Sequence, residues 1–211
     1  MKLTTIILLA LLTASTGLQA QKVTPVSWGK MSGTFNRNVT LPADGKLLTI
    51  NEGPGAGGVW LRLKQASNAE IEVEVKGRDV QQQSFLGIAF HGQNDSTYEA
   101  VYFRPFNFRA AEPERRSHSV QYVSLPGNDW PELRKEHPLK YEQPLNVVVD
   151  PQDWFKVKLV FIDGNISVYV NGAEKSCLQV KSLSNYKTGK IGMWTGNNSP
   201  GEFRNMKIRY F

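Results

Sequence analysis

Residues 85–108, FLGIAFHGQNDSTYEAVYFRPFNF, carry the clearest two-residue periodicity in the chain. The pattern predicts two strands joined by a polar turn over 91–97, where Gly, Asn, Asp and Ser cluster. On the first strand Leu86, Ile88 and Phe90 share a face, and Gly87, Ala89 and His91 share the other. On the second, Val101 and Phe103 oppose Ala100, Tyr102 and Arg104. The bulky apolar face suits a core. The other is small at Gly87, Ala89 and Ala100, with His91, Tyr102 and Arg104 around that space, which suits the floor of a site for a polar ligand such as a sugar. The same alternation also fits an ordinary half-exposed sheet face.

Alternation continues along the chain. Strands are expected over 47–51 and 58–63 around the glycine-rich run 53–58, then over 69–76, 119–124, 154–161, 166–170, 191–194 and 206–210. Many short strands with Gly and Asn turns predict an all-β sandwich or barrel. The exception is 126–151, a proline-punctuated stretch with room for one short helical turn over 128–134. A loop of that length inside a compact domain is usually functional, and this one carries Trp130, Arg134, His137, Tyr141 and Glu142.

The first residues change the picture of where the protein works. Met1 and Lys2 precede an apolar run over 3–12 and small residues up to Ala20. This reads as a secretory signal peptide over 1–20, leaving one domain over 21–211 in a secreted or periplasmic protein. No cysteine follows the apolar run, so no lipid or other membrane anchor is expected. Cys177 is the sole cysteine, so no internal disulfide forms, and a buried structural thiol is expected. The formal charge of +6 is scattered rather than gathered into a nucleic-acid motif, so no nucleic-acid partner is expected. Asn94-Asp95-Ser96 has oxygen donors but reads as a turn; no metal and no cofactor is expected.

Chemistry on a glycoside calls for paired carboxyls, about 5–5.5 Å apart in retaining hydrolases and roughly 6.5–9.5 Å apart in inverting ones. Glu70, Glu72 and Glu74 stand in one row on a predicted strand, where they read either as an acid cluster or as a solvated charged face. Glu99, in the 85–108 hairpin, alternates with Val101 onto the core side, which counts against it; Glu142 sits on the long loop. Arg104 offers a planar fork of donors, Tyr102 and Trp130 offer rings to stack on a sugar, Gln121 can both donate and accept, and His91 can act as base or hydroxyl contact. Trp194 reads as core or as groove lining.

Residues 87–108, 114–124 (ERRSHSVQYVS), 128–134 (NDWPELR), 150–161 (DPQDWFKVKLVF), 166–172 (ISVYVNG) and 189–208 (GKIGMWTGNNSPGEFRNMKI) resemble the 3-keto-disaccharide hydrolase domain family, which is similar to family 16 glycoside hydrolases. The resemblance implies a concanavalin A-like β-sandwich, or jelly roll: two antiparallel sheets and a concave sugar-binding sheet. The Glu70–Glu72–Glu74 row is similar to the family 16 signature, departing from it at Glu72, where that signature has aspartate. The expected function is that of a secreted glycoside hydrolase-like protein acting on a glycan or modified disaccharide. Its candidate catalytic residues are Glu99, Glu142 and His91, and its candidate binding residues are Tyr102, Arg104, Gln121 and Trp130. The alternative is a non-catalytic, lectin-like carbohydrate-binding module. A structural or adhesion subunit, a third class, would show a large exposed apolar patch instead of a groove.

Overall fold

The computed structural model describes residues 22–211; the signal peptide expected over 1–20 lies outside the described residues. The strands, numbered along the chain, form two sheets in which every pairing is antiparallel. One sheet runs, in spatial order, β13 (Leu178–Lys181), β12 (Asn165–Val170), β11 (Phe155–Ile162), β6 (Ala69–Lys76), β15 (Gly201–Tyr210), β4 (Leu47–Ile50) and β3 (Val39–Thr40), with β1 (Thr24–Pro25) also on β15. The other runs β10 (Glu142–Gln143), β9 (Val120–Leu125), β8 (Tyr98–Phe103), β7 (Leu86–Gly92), β14 (Lys190–Thr195), β5 (Gly57–Leu61) and β2 (Met31–Phe35). The all-β sandwich expected from the alternation is the observed architecture.

The core lies between the sheets and is built by that alternation. On β6 every second residue is buried, Ala69, Ile71, Val73 and Val75, and β11 contributes Phe155, Val157, Leu159 and Phe161. From the facing sheet come Leu86, Ile88, Phe90, Val101, Phe103 and Met193. Rings meet across the gap: Phe90 stacks on Phe161 at 5.0 Å, and Phe103 meets Phe155 edge-on at 5.2 Å. Burying each such side chain contributes about 1.5–3 kcal/mol, and with no disulfide among the described residues this burial and the ladders hold the fold. Cys177 is buried, and burial pushes its thiol up to about 12, so it is inert packing.

Glu70, Glu72 and Glu74 lie on the outer face of the first sheet. Their strand sits in the middle of that sheet, and each carboxylate has a cation beside it: Arg209 at 3.8 Å, Lys156 at 2.7 Å and Arg204 at 2.6 Å. A paired, half-solvated row explains the alternation without chemistry.

Two departures from plain alternation matter. His91, expected opposite the core, points into it. Between β7 and β14 the register moves from Ala89↔Gly192 to Gly92↔Lys190, three steps on one strand against two on the other. The extra residue is a β-bulge, His91 takes the left-handed conformation (φ 49°), and its ring meets Phe161 of the opposite sheet at 5.0 Å. The second departure is in the long loop. It holds the expected helical turn, observed as α2 (Trp130–Glu136), but then returns to the sheet as β10, pairing Glu142 with Gln121. Another short helix, α1 (Pro113–Ser117), precedes β9.

Candidate functional site

One rung of the second sheet runs across its outer face through six successive pairings: Phe35, Gly58, Trp194, Gly87, Tyr102, Gln121 and Glu142. From Phe35 to Tyr102 large and absent side chains alternate along it. A Cβ at Gly87 would come within 2.6 Å of the Tyr102 backbone, so only glycine fits at this close approach to β8. Across this gap Tyr102 and Trp194 approach to 4.9 Å, and Phe85 meets Tyr102 edge-on at 6.1 Å. These rings floor a cleft of about 580 Å³ whose rim includes Trp130, Arg134 and Asp129 of the α2 region and Gly55, Ala56, Gly196 and Asn197 of two loops.

α2 stands where it does for local reasons. Asp129 caps it, its carboxylate accepting from the Trp130 N–H at 2.7 Å, and Pro131 fits the first turn. Leu133 is buried and anchors the helix, leaving Trp130 42% exposed at the cleft mouth. The Arg134 guanidinium lies 5.0 Å from the Trp130 ring and grips Glu142 through two bonds, Nε to Oε1 at 2.8 Å and Nη2 to Oε2 at 2.6 Å.

Glu142 is thus the hub of a buried network. Its Oε2 also lies 2.9 Å from His118 Nδ1, close but off the line a hydrogen bond needs, and 3.7 Å from Arg104 Nη1. Arg104 donates through Nη2 to the Tyr102 hydroxyl (2.9 Å) and Gln121 Oε1 (3.2 Å), and through Nη1 to the His118 carbonyl (2.9 Å). Burial pushes Tyr102 up to about 12, so its hydroxyl keeps its proton, and since it accepts from Arg104 that proton is free to be donated. Burial lowers His118 below the usual imidazole value, outweighing the pull of Glu142, so the ring is neutral at pH 7. Burial raises Asp129.

The sequence-predicted residues therefore divide. Tyr102, Arg104 and Trp130 line the cleft together, although Tyr102 and Arg104 are only 3% and 5% exposed and form its packed floor. Gln121 lies beneath that floor, fixed to Arg104 and to the carbonyls of Tyr122 and Tyr141. Glu142 sits one layer below the lining, at the sheet edge instead of on a covering loop. Glu99 and His91 are elsewhere: 0% and 4% exposed between the sheets, with His91 Nδ1 at 2.6 Å from Glu99 Oε2 and the Tyr122 hydroxyl donating to Oε1. Neither lines the cleft, which removes both from the candidate site: Glu99 stands on the core side that its alternation predicted, while the bulge takes His91 inward, correcting its expected place on the outer face. Arg104 has Glu142 as its carboxylate neighbour, at 3.7 Å. Trp194 takes the groove reading. His118 and Asp129 went unmarked; an aspartate before Trp-Pro was a visible helix cap, but nothing local marks His118, which reaches the cleft from the turn before β9.

Residues 23–209 match the family described as the 3-keto-alpha-glucoside-1,2-lyase-like domain. The chain belongs to this family. Comparison with curated proteins returned no match. The fold of this lyase-like domain is similar to the carbohydrate-binding module CBM66 from Bacillus subtilis, with a TM-score of 0.60 at 11% identity over 84% of this chain and 94% of that one. It is also similar to the exoplasmic/lumenal domain of VIP36 in its Ca2+/Man3GlcNAc-bound form, with a TM-score of 0.58 at 11% identity over 90% and 88%. A protein of unknown function with a galectin-like fold from Bacillus subtilis aligns at a TM-score of 0.50 and 13% identity over 90% and 89%. At such identities the likeness is one of fold, a concanavalin A-like or galectin-like sandwich, and function has to be argued from the site.

Proposed function

We propose that the cleft binds a 3-keto-glucoside and cleaves it by elimination. The observation that carries this reading is the composition of the lining: an aromatic floor, arginine donors, one neutral imidazole, and Asp129 as its one carboxylate among the described residues. Two-carboxylate hydrolysis calls for a facing pair of acids, and the lining does not supply the second. Elimination from a keto-sugar needs one base, because the C3 carbonyl acidifies the C2–H bond. His118 takes the C2 proton. The C2–H electron pair becomes the C1=C2 bond, the C1–O bond breaks, and the aglycone oxygen leaves with its electrons and receives the proton back from the imidazolium. Arg104 and the Tyr102 O–H stabilise the enolate oxygen as charge develops on it. Addition of water to the unsaturated ketone would complete a net hydrolysis, so the hydrolase expectation survives as the two-step outcome.

Incubation with 4-nitrophenyl 3-keto-α-glucoside is expected to release nitrophenol and leave an unsaturated ketone with a new ultraviolet band. Trp130→Ala is expected to weaken binding about five- to tenfold without loss of folding, since its ring is half out in solvent. Binding without any product would replace this reading with the non-catalytic carbohydrate-binding module, which the same aromatic lining favours.

The leader-like residues 1–20 put this activity outside the cytoplasm in the proposal. Mass spectrometry of the protein recovered from its producing cell is expected to show a chain beginning at Gln21; an intact Met1 start would refute export by this route.

A further inference from the structure

Arg37 is a buried cation held without a carboxylate. It lies just after β2 and is 6% exposed, and no acidic side chain among the described residues comes within ion-pair distance of it. Its charge is met by five acceptors: Nε donates to Thr195 Oγ1 (3.0 Å), Nη1 to the carbonyls of Asn36 (2.6 Å) and Pro54 (3.2 Å), and Nη2 to those of Gly55 (2.5 Å) and Gly196 (2.8 Å). A guanidinium has five N–H groups, so the whole donor set is spent, four bonds going to the 53–58 and 195–197 segments and one to the neighbouring Asn36 carbonyl.

The loops are shaped around that side chain. A Cβ on Gly57 would lie 2.7 Å from Arg37 Cγ, and one on Gly53 would lie 3.2 Å from its Nη1. The glycines of the 53–58 run leave the space that the arginine fills. Gly55 N–H donates in turn to Asn197 Oδ1 at 2.8 Å, tying the two loops together. Gly55, Ala56, Gly196 and Asn197 are part of the cleft lining. Keeping a cation out of water with neutral acceptors alone is costly, and a fold that needed only a loop closure here could use an apolar side chain.

We propose that Arg37 is a positioning residue, a template whose four bonds to the 53–58 and 195–197 segments hold them as one preformed wall of the cleft and so set ligand affinity. The proposal rests on the cleft being a saccharide site, and preorganisation is the physical reason affinity follows: a wall already ordered needs no ordering when the ligand arrives.

The test compares the full chain with Arg37→Met, Arg37→Lys and Arg37→Ala. Amide exchange over 53–57 and 195–198 is expected to rise at least tenfold in each variant while β8 and β9 stay protected. KM for 4-nitrophenyl 3-keto-α-glucoside is expected to rise about tenfold with kcat within twofold. Millimolar guanidinium is expected to restore both exchange protection and KM in Arg37→Ala, a rescue that general loss of stability would not show; should Arg37→Ala not fold, Arg37→Lys carries the exchange and KM readings. Wild-type exchange and KM in Arg37→Met, or exchange raised evenly over the whole domain, would overturn the proposal. A wild-type chain that neither binds nor converts the keto-glucoside would sink the proposed function instead. Local exchange and its guanidinium rescue would then still decide whether Arg37 holds the wall.

Discussion

Glu142→Ala is expected to remove about 3–5 kcal/mol of folding free energy and to abolish ligand binding. The carboxylate is nearly inaccessible, and its two oxygens meet Arg134 through two bonds, His118 at 2.9 Å and Arg104 at 3.7 Å. Truncation leaves Arg104 buried with no counter-charge, and an uncompensated buried cation is far costlier than the net worth of the pair that neutralised it. Arg134, with a side chain 36% exposed, can turn to solvent, so the loss falls toward the lower end of the range. That turn would carry α2 and Trp130 away from the cleft, because the Arg134–Glu142 grip joins the helix to the sheet edge. Glu142→Gln keeps shape and one acceptor and should lose less than half as much. Urea unfolding at pH 7 measures the first effect and calorimetric titration with the keto-glucoside the second. A Glu142→Ala protein within 1 kcal/mol of wild type would show that the network contributes no net stability, as some buried ion pairs do not.

The sandwich was legible because period two is a direct consequence of strand geometry: β6, β11 and the 85–108 hairpin each announce their buried face residue by residue. The cleft was legible only where a lining side chain rode on such a strand or directly followed it, as Tyr102 and Arg104 do. His91 shows the limit. One bulge residue reverses a face, and bulges are set by the neighbouring strand, which local sequence does not display. Nothing in the 191–194 strand pattern showed that β14 would fall beside β7 and bring Trp194 against Tyr102. Glu142 reads as part of the long loop but stands on a strand, because a two-residue strand carries too little periodicity to be recognised. Arg37 and His118 were silent for a different reason. Each acts through partners far along the chain, Thr195 and Gly196 in one case and Glu142 in the other, so only tertiary structure assembles their roles.

His118→Asn is expected to lower kcat on the keto-glucoside by 10²–10⁴-fold, the usual contribution of a positioned general base, with little change in KM. Asparagine keeps a polar group of similar size at the cleft but cannot accept and return the proton. The pH profile separates this role from simple packing. Burial holds the folded imidazole below its usual 6.5, so the base form persists into mildly acidic solution and the wild-type rate should fall only as pH drops through that lowered value. Stability should move with it. Above 6.5 the ring is neutral whether the chain is folded or not and contributes no pH dependence. Below 6.5 the unfolded chain takes up the proton first, and folding free energy declines until the folded ring is protonated as well. In His118→Asn both the acid limb of the rate and this portion of the stability curve should disappear. A variant that keeps the wild-type acid limb would assign the base to another group, and Asp129, the carboxylate in the lining, would be the next residue to replace.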